Sequence, residues 1–250
     1  MLKVYLKNCP GLNFIFPFLK TNVLISEFSS IILFIFKNIF LIKFSNIYKF
    51  PLSSIFMVPR IIFRHSHSYD KIFKDMSRVD NYPNEKKVTE YIDDVQKIWN
   101  KIGRKILIEI QRISRLKFND NKIVCYVVGK AIPFADPLTI PIYWKDHNYF
   151  IDTLIHELIH LLFTQEGNLQ KAKKSWGYIF TKYKNETFDT KIHIPLHAIH
   201  THIYTIFFSM ERLEHDIIEL YNLHAYRRSW EIVNKDGYQK IIEEFTKRIT

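Results

Sequence analysis

The sequence predicts an α-rich α+β domain with a small sheet, and three observations support this fold class. A long amphipathic helix is indicated over residues 83–114, and two short β-branched runs follow it at Ile123–Val128 and Leu138–Trp144. From Phe150 to the end the pattern is helical. Hydrophobic residues make up 47% of the 250 residues and charged residues 24%, which is enough apolar material for a globular core.

The long helix is predicted by a single apolar stripe. Its members recur at spacings of three and four residues, which brings them onto one helix face: Val88, Ile92, Val95, Trp99, Ile102, Ile106, Ile110 and Ile113. Pro83 is expected at the first helical position, where its missing N–H is harmless. This helix is expected to be scaffold.

The two strands and the later helices complete the predicted domain. Ile123–Val128 ends at Gly129, and Pro141 inside Leu138–Trp144 lacks a backbone donor, which predicts that the second strand lies at the sheet edge. Gly237 is a predicted helix stop. Helices are expected near residues 150–164, 175–184, 195–208, 211–222, 224–235 and 238–249.

Residues 1–56 differ from the rest and are treated as a separate hydrophobic N-terminal extension, with the main domain at 57–250. The extension holds ten of the 21 Phe residues, and its most apolar run, Ser29–Ile42, is fourteen residues with Lys37 inside it, whereas a membrane span needs about twenty. Three interpretations remain open: a membrane-associating anchor, an apolar flap on the main domain, or a non-native segment preceding a translation start at Met57.

Charge and cysteine content narrow the expected partners and setting. The net charge is +11, but residues 1–60 contribute +6 of it, and no basic stripe interleaved with aromatics follows, so nucleic-acid binding is not expected. The two cysteines, Cys9 and Cys125, cannot build a disulfide framework, and Cys125 lies in an apolar run and is expected to be buried. A reducing, cytoplasmic setting is expected, with membrane association through residues 1–56 as the alternative.

The run HELIH at residues 156–160 carries the expected chemistry. On a helix, His156 and His160 stand one turn apart on one face, where neutral imidazoles can grip one tetrahedral zinc ion. Glu157 is adjacent to the first ligand and can take the proton of a zinc-activated water. The flanking residues are apolar, so the helix is expected to be buried and its polar groups to need partners.

Residues 138–163 resemble the zincin superfamily of metallopeptidases, in which an edge strand precedes the HExxH helix. The runs HIPLHAIH and YRRSWEIV are also similar to small, uncharacterised prokaryotic metallopeptidase-like proteins. The resemblance implies a zincin-like fold, His156 and His160 as zinc ligands and Glu157 as general base. It also implies that extended peptide binds along the strand Leu138–Trp144.

The third zinc ligand must come from further along the chain, because no second ligand motif follows HELIH. His193, His197, His200 and His202 crowd ten residues, and Pro195 is expected to start a helix there. His197 is the preferred ligand, with His193 and His200 as alternatives and His202 as a surface residue. Glutamates that could replace a histidine are Glu211, Glu214 and Glu231.

The expected function is therefore a zinc metallopeptidase that cleaves a peptide or protein substrate, with Zn²⁺ as its cofactor. Two alternatives are a non-catalytic, zinc-stabilised interaction protein and a zinc amidohydrolase acting on a non-peptide amide. A general base beside the ligands favours hydrolysis over a structural site. The sequence does not set the oligomeric state or the preferred side chains of the substrate.

Overall fold

The computed structural model describes residues 57–77, 80–143 and 146–250. The predictions for residues 1–56, including Cys9, lie outside the described residues, as does Trp144. Eight helices and four strands form within the described part, so the α-rich α+β class is confirmed. In chain order they are β1 Arg60–Arg64, α1 His67–Ser77, α2 Glu85–Ser114, β2 Lys122–Val128, β3 Phe134–Ala135, β4 Leu138–Pro141, α3 His147–Thr164, α4 Glu166–Lys182, α5 Phe188–Phe207, α6 Met210–Glu219, α7 His224–Asp236 and α8 Tyr238–Thr246.

The sheet is mixed and its order is β1-β2-β4-β3. β2 pairs in parallel with β1 and β4, and β3 pairs antiparallel with β4 through Phe134 and Ala135. The prediction that Pro141 puts its strand at the edge is wrong, because β3 lies outside β4. The N–H of Ile142 donates a hydrogen bond to the carbonyl oxygen of Val128 in β2. Because successive residues of a strand alternate in direction, the nitrogen of Pro141 faces the side of β3. β3 pairs only with Leu138 and Thr139, so no hydrogen bond of the sheet is lost at Pro141.

The long helix α2 buries the predicted stripe. Of its eight members, six are buried, and Ile92 and Ile102 are half-buried. Asn84 caps the helix by accepting a hydrogen bond from the N–H of Lys87 at 3.0 Å, so Pro83 precedes the cap and is not the first helical residue. Cys125 is buried in β2, as predicted.

The structure also differs from the prediction in the elements that are present and in where two helices begin. β1, α1 and β3 were not predicted, and α4 begins nine residues earlier than expected. α5 begins at Phe188 behind a Thr187 cap, so Pro195 lies inside the helix and does not start it. An interior proline removes one helical hydrogen bond at a cost of about 3 kcal/mol. Because α5 begins at Phe188, His193 lies within the helix and not before it.

The core surrounds α3, which packs between the sheet, α2 and α5. A second apolar cluster, which includes Tyr204 and Trp230, joins α5 to α7 and α8. Within the described ranges, no helix is both long and apolar enough to cross a membrane.

Candidate metal centre

The HELIH run lies on α3, which begins behind an Asp146 cap. The Asp146 carboxylate accepts a hydrogen bond from the N–H of Tyr149 at 2.9 Å. Because nearly every neighbour is apolar, the helix is buried over most of its length, and His156 and Glu157 are buried with it. His160, one turn later, is half-buried and faces a cleft.

Helix α5 brings a third imidazole to this face. One ligating atom from each of His156, His160 and His193 lies within 4.8 Å of the other two. The Nε2 atoms of His160 and His193 are 3.2 Å apart. Among the residues that the structure describes, this is the group of three that could hold a metal ion.

The hydrogen bonding of His193 fixes its tautomer. Its Nδ1 lies 2.6 Å from the carbonyl oxygen of Asp189, one turn earlier in α5, and a carbonyl can only accept. Nδ1 therefore carries the proton and Nε2 presents a lone pair. A backbone carbonyl that orients a histidine in this way is typical of metal ligands.

The separation of His160 and His193 and the protonation of all three imidazoles suit a tetrahedral metal ion. Two ligands at about 2.0–2.1 Å from a tetrahedral ion lie about 3.3 Å apart, close to the observed separation of His160 and His193. Burial lowers the pKa of all three rings, that of His160 to about 3 and that of His156 well below its usual value, with the neighbouring histidines adding to the effect at His156 and His160. The rings are thus neutral and ready to ligate at physiological pH.

Glu157 follows His156 in α3 and lines the same cleft as His160 and His193. Burial raises the pKa of Glu157 to about 7. A carboxyl group near neutrality suits a general base, and a cation held by the histidines would favour its ionised form. The cleft has a volume of about 520 Å³ and is bounded on one side by Pro133–Asp136, the segment that contains β3.

His197, the residue preferred from the sequence, has a different environment. Ser229 donates its hydroxyl proton to the carbonyl of Tyr226 at 2.8 Å, so Nδ1 of His197 donates to the Ser229 oxygen at 2.7 Å. The ring stacks on Trp230 with centroids 3.9 Å apart. His197 is fully buried behind His156 and His193 and is outside the group of three.

The other ligand candidates also lie elsewhere. His200 is buried, one turn beyond His197, and faces a second pocket. His202 bonds to Glu109 of α2 at 2.6 Å, so it connects two helices and is half-buried. The three glutamates are exposed, and none belongs to the group of three: Glu211, Glu214 and Glu231.

Tyr226 of α7 completes the centre. Its ring is parallel to that of His156 within 10°, and its hydroxyl lies 3.4 Å from Nε2 of His156. Burial raises its pKa, so the hydroxyl stays protonated and can donate. No local pattern in the sequence indicates this contact, because Tyr226 lies 70 residues after His156 along the chain.

Two buried acids near the centre were missed from the sequence. Asp152 is four residues before His156 on α3, and this helical spacing could have indicated it. Asp216 on α6 has no such local signal.

Comparisons of the chain with protein-family models, curated proteins and solved structures found no match.

Proposed function

We propose that the protein is a zinc-dependent hydrolase that cleaves peptide bonds. His156, His160 and His193 would hold the zinc ion, and Glu157 would act as general base. The observation that carries this proposal is the convergence of three neutral imidazoles from α3 and α5, two of which, His160 and His193, line an open cleft together with Glu157.

Each side chain has a defined task in this reaction. Bound zinc would supply a water of lowered pKa and polarise the scissile carbonyl. Glu157 takes the proton of the attacking water and can deliver it to the leaving amine. The Tyr226 hydroxyl, close to His156, can donate a hydrogen bond to the oxyanion that develops on the carbonyl.

The shape of the cleft supports a peptide substrate over a small amide. A cleft of about 520 Å³ that is bounded by a sheet edge can accept an extended chain. The strand next to the cleft is β3, however, and not Leu138–Trp144, because β4 is buried and paired on both sides. Substrate backbone would therefore lie along Phe134 and Ala135.

A purely structural zinc site is the rival from another class. Such a site gains nothing from a carboxylate next to its ligands, whereas a hydrolase uses that group in a way that can justify the free-energy cost of burying it. The position of Glu157 at the cleft wall therefore favours catalysis.

The test compares Glu157→Gln with the unchanged protein and with Glu166→Gln, a control at an exposed glutamate two residues after α3. Zinc content is measured by atomic absorption, and hydrolysis by mass spectrometry of a peptide mixture. We expect one zinc per chain in all three proteins and a loss of about a hundredfold or more in rate for Glu157→Gln alone.

Two results would contradict the proposal. Full activity in Glu157→Gln would refute the assigned base. One zinc per chain without hydrolysis of any peptide by the unchanged protein would favour the structural site.

A further inference from the structure

A second pocket opens beside the candidate metal centre. It has a volume of about 130 Å³ and shares Pro133, Glu157 and Tyr226 with the main cleft. We call it the acidic side pocket and define it by Tyr143, Thr153, His200, Asp216, Leu220 and Leu223. Because the two spaces meet at Glu157, a chain lying in the cleft could direct one side chain into this pocket.

The inner end of the acidic side pocket is polar and incompletely satisfied. Asp216 is 5% exposed, no hydrogen bond from the described residues reaches its carboxyl group, and the ion-pair contact found for that group among them is Nδ1 of His200 at 3.9 Å. His200 is 1% exposed, and neither of its ring nitrogens has a hydrogen-bond partner in the described part of the chain. Buried polar groups normally have partners, so this end of the pocket is suited to a ligand that donates hydrogen bonds.

Asp152, the second buried acid at this pocket, does have hydrogen-bond partners for its carboxylate. Asp152 accepts from Nε of Arg212 at 2.9 Å and from its Nη2 at 2.7 Å, a two-point ion pair between α3 and α6. The hydrogen bonds of the Arg212 guanidinium to a carboxylate thus go to Asp152, and Arg212 acts on Asp216 only through space. Asp216 remains the carboxyl group without a bonded cation at this end of the pocket.

The outer part of the pocket is apolar. Leu223 is 50% exposed at its mouth, and the side chains of Tyr143 and Leu220 continue the wall inward. A ligand with an aliphatic stem and a cationic head matches this order of surfaces. The volume of about 130 Å³ holds several water-sized groups, which is enough room for the side chain of a lysine.

We propose that the acidic side pocket binds the side chain of a lysine, or an equivalent primary alkylamine, next to the bond that is cleaved. The proposal rests on the proposed peptidase function for the position of the scissile bond, but not for the binding itself. Asp216 receives the ammonium group, and the imidazole of His200 accepts a second hydrogen bond from it. The ammonium loses its hydration on entry, and the charge-assisted bond to Asp216 offsets that loss.

A second metal ion is the other cation that Asp216 and His200 could attract. No third histidine, cysteine or carboxylate joins them in a ligating group within the described residues. The apolar mouth gives no advantage to a hydrated metal ion, whereas it packs against an alkyl stem. The observations therefore favour the amine.

The test uses full-length, zinc-loaded protein and two small probes that differ only at the end of the side chain. Nα-acetyl-lysine methylamide carries the ammonium group, and Nα-acetyl-norleucine methylamide carries a methyl group. Calorimetric titration should show that the lysine probe binds at least about tenfold more tightly than the norleucine probe. Asp216→Asn should abolish this ratio, and Glu219→Gln, an exposed acid on the last turn of α6, should keep it.

A second variant protects the test against misfolding of Asp216→Asn. Leu223→Lys places a cation at the exposed mouth and should weaken the lysine probe severalfold more than the norleucine probe. Equal binding of the two probes by the unchanged protein would overturn the proposal. So would an unchanged ratio in both pocket variants, or a second zinc ion per chain that disappears in Asp216→Asn.

Hydrolysis of matched peptides separates this inference from the proposed function. Peptides with lysine or norleucine beside the scissile bond are compared in the same proteins. If neither peptide is cleaved while the probes still differ through Asp216, the peptidase proposal fails and the amine pocket stands. If both peptides are cleaved at equal rates, the pocket proposal fails and the peptidase stands.

Discussion

The hydroxyl oxygen of Ser229 holds Nδ1 of His197 at 2.7 Å, while Trp230 covers the face of the same ring. These contacts fix His197 behind the group formed by His156, His160 and His193. We therefore expect His197 to orient the proposed ligands and not to bind the metal, and measured zinc affinities can distinguish the two roles.

We expect His193→Ala to weaken zinc binding by several orders of magnitude, because it removes one of the three proposed protein ligands. His197→Ala should weaken it by about ten- to hundredfold, the range for residues that orient ligands. His215→Ala, at an exposed histidine on α6, serves as the control and should bind like the unchanged protein. Competition with a chelating dye measures the affinities. Parental affinity in His193→Ala together with severe loss in His197→Ala would reverse the assignment.

Tyr226→Phe should lower kcat by about a hundredfold while zinc affinity stays the same. The substitution keeps the ring that stacks on His156 and removes only the hydroxyl group, which is the expected donor to the oxyanion. Tyr221→Phe, at an exposed tyrosine between α6 and α7, should leave kcat unchanged. Steady-state kinetics and zinc titration on the same samples decide the matter. Equal kcat in the two variants would remove Tyr226 from the mechanism.

Arg212→Met should destabilise the zinc-free protein by about 3–5 kcal/mol, because it leaves Asp152 buried without its cation. Replacing both partners, as in Arg212→Met with Asp152→Leu, should recover part of the loss. Arg228→Met is the matched control, since its pairs with Glu186 and Glu231 are more exposed and should contribute less than about 1 kcal/mol. Denaturant unfolding gives the values. Equal losses in the two single variants would show that the Asp152 pair is dispensable.

The hydrogen bond between Glu109 of α2 and His202 of α5 should make the free energy of unfolding depend on pH. Burial raises the pKa of Glu109, but hydrogen bonds from Arg112 and His202 outweigh it and hold the pKa at about 2, against 4.5 in an unfolded chain. A lowered folded-state pKa means that this stabilisation is fully present above about pH 4.5 and is lost as the pH falls towards 2.

Glu109→Gln removes that titration and should cost about 1–3 kcal/mol at neutral pH, as expected for hydrogen bonds to a charged group. The difference in unfolding free energy between the two proteins should shrink between pH 5 and pH 2. Denaturant unfolding of both proteins across this range measures it. A difference that stays constant over the same range would contradict the assigned pKa.

The periodicity of apolar residues predicted those elements whose formation depends on residues within the element itself. The stripe of α2 and the apolar run around HELIH each fit within one helix, so periodicity was sufficient. β3 could not be found in this way, since a strand of two residues exists only through its pairing with β4. β1 has the alternating burial of Ile61 and Phe63, but its flanking arginines concealed the signal.

The prediction of His197 as third ligand depended on one misplaced helix start, at Pro195. With Pro195 as the first residue of α5, His193 would precede the helix and His197 would lead its inner face. With the start at Phe188, residues 193, 197 and 200 share one face, and the one of these that comes within 3.2 Å of His160, His193, is the one we propose as ligand. That selection comes from the packing of α5 against α3, which no spacing in the sequence expresses.

The shortness of β3 limits what a docked chain can gain from the sheet. In an antiparallel pair, successive residues direct their amide groups alternately to either side, so two residues offer outward hydrogen bonds from only one of them. Lengthening a substrate along this strand would thus add little affinity, and selectivity would fall to individual side chains. The same shortness gives a second copy of the chain too little edge to pair with, which keeps the cleft accessible without promoting strand-to-strand self-association.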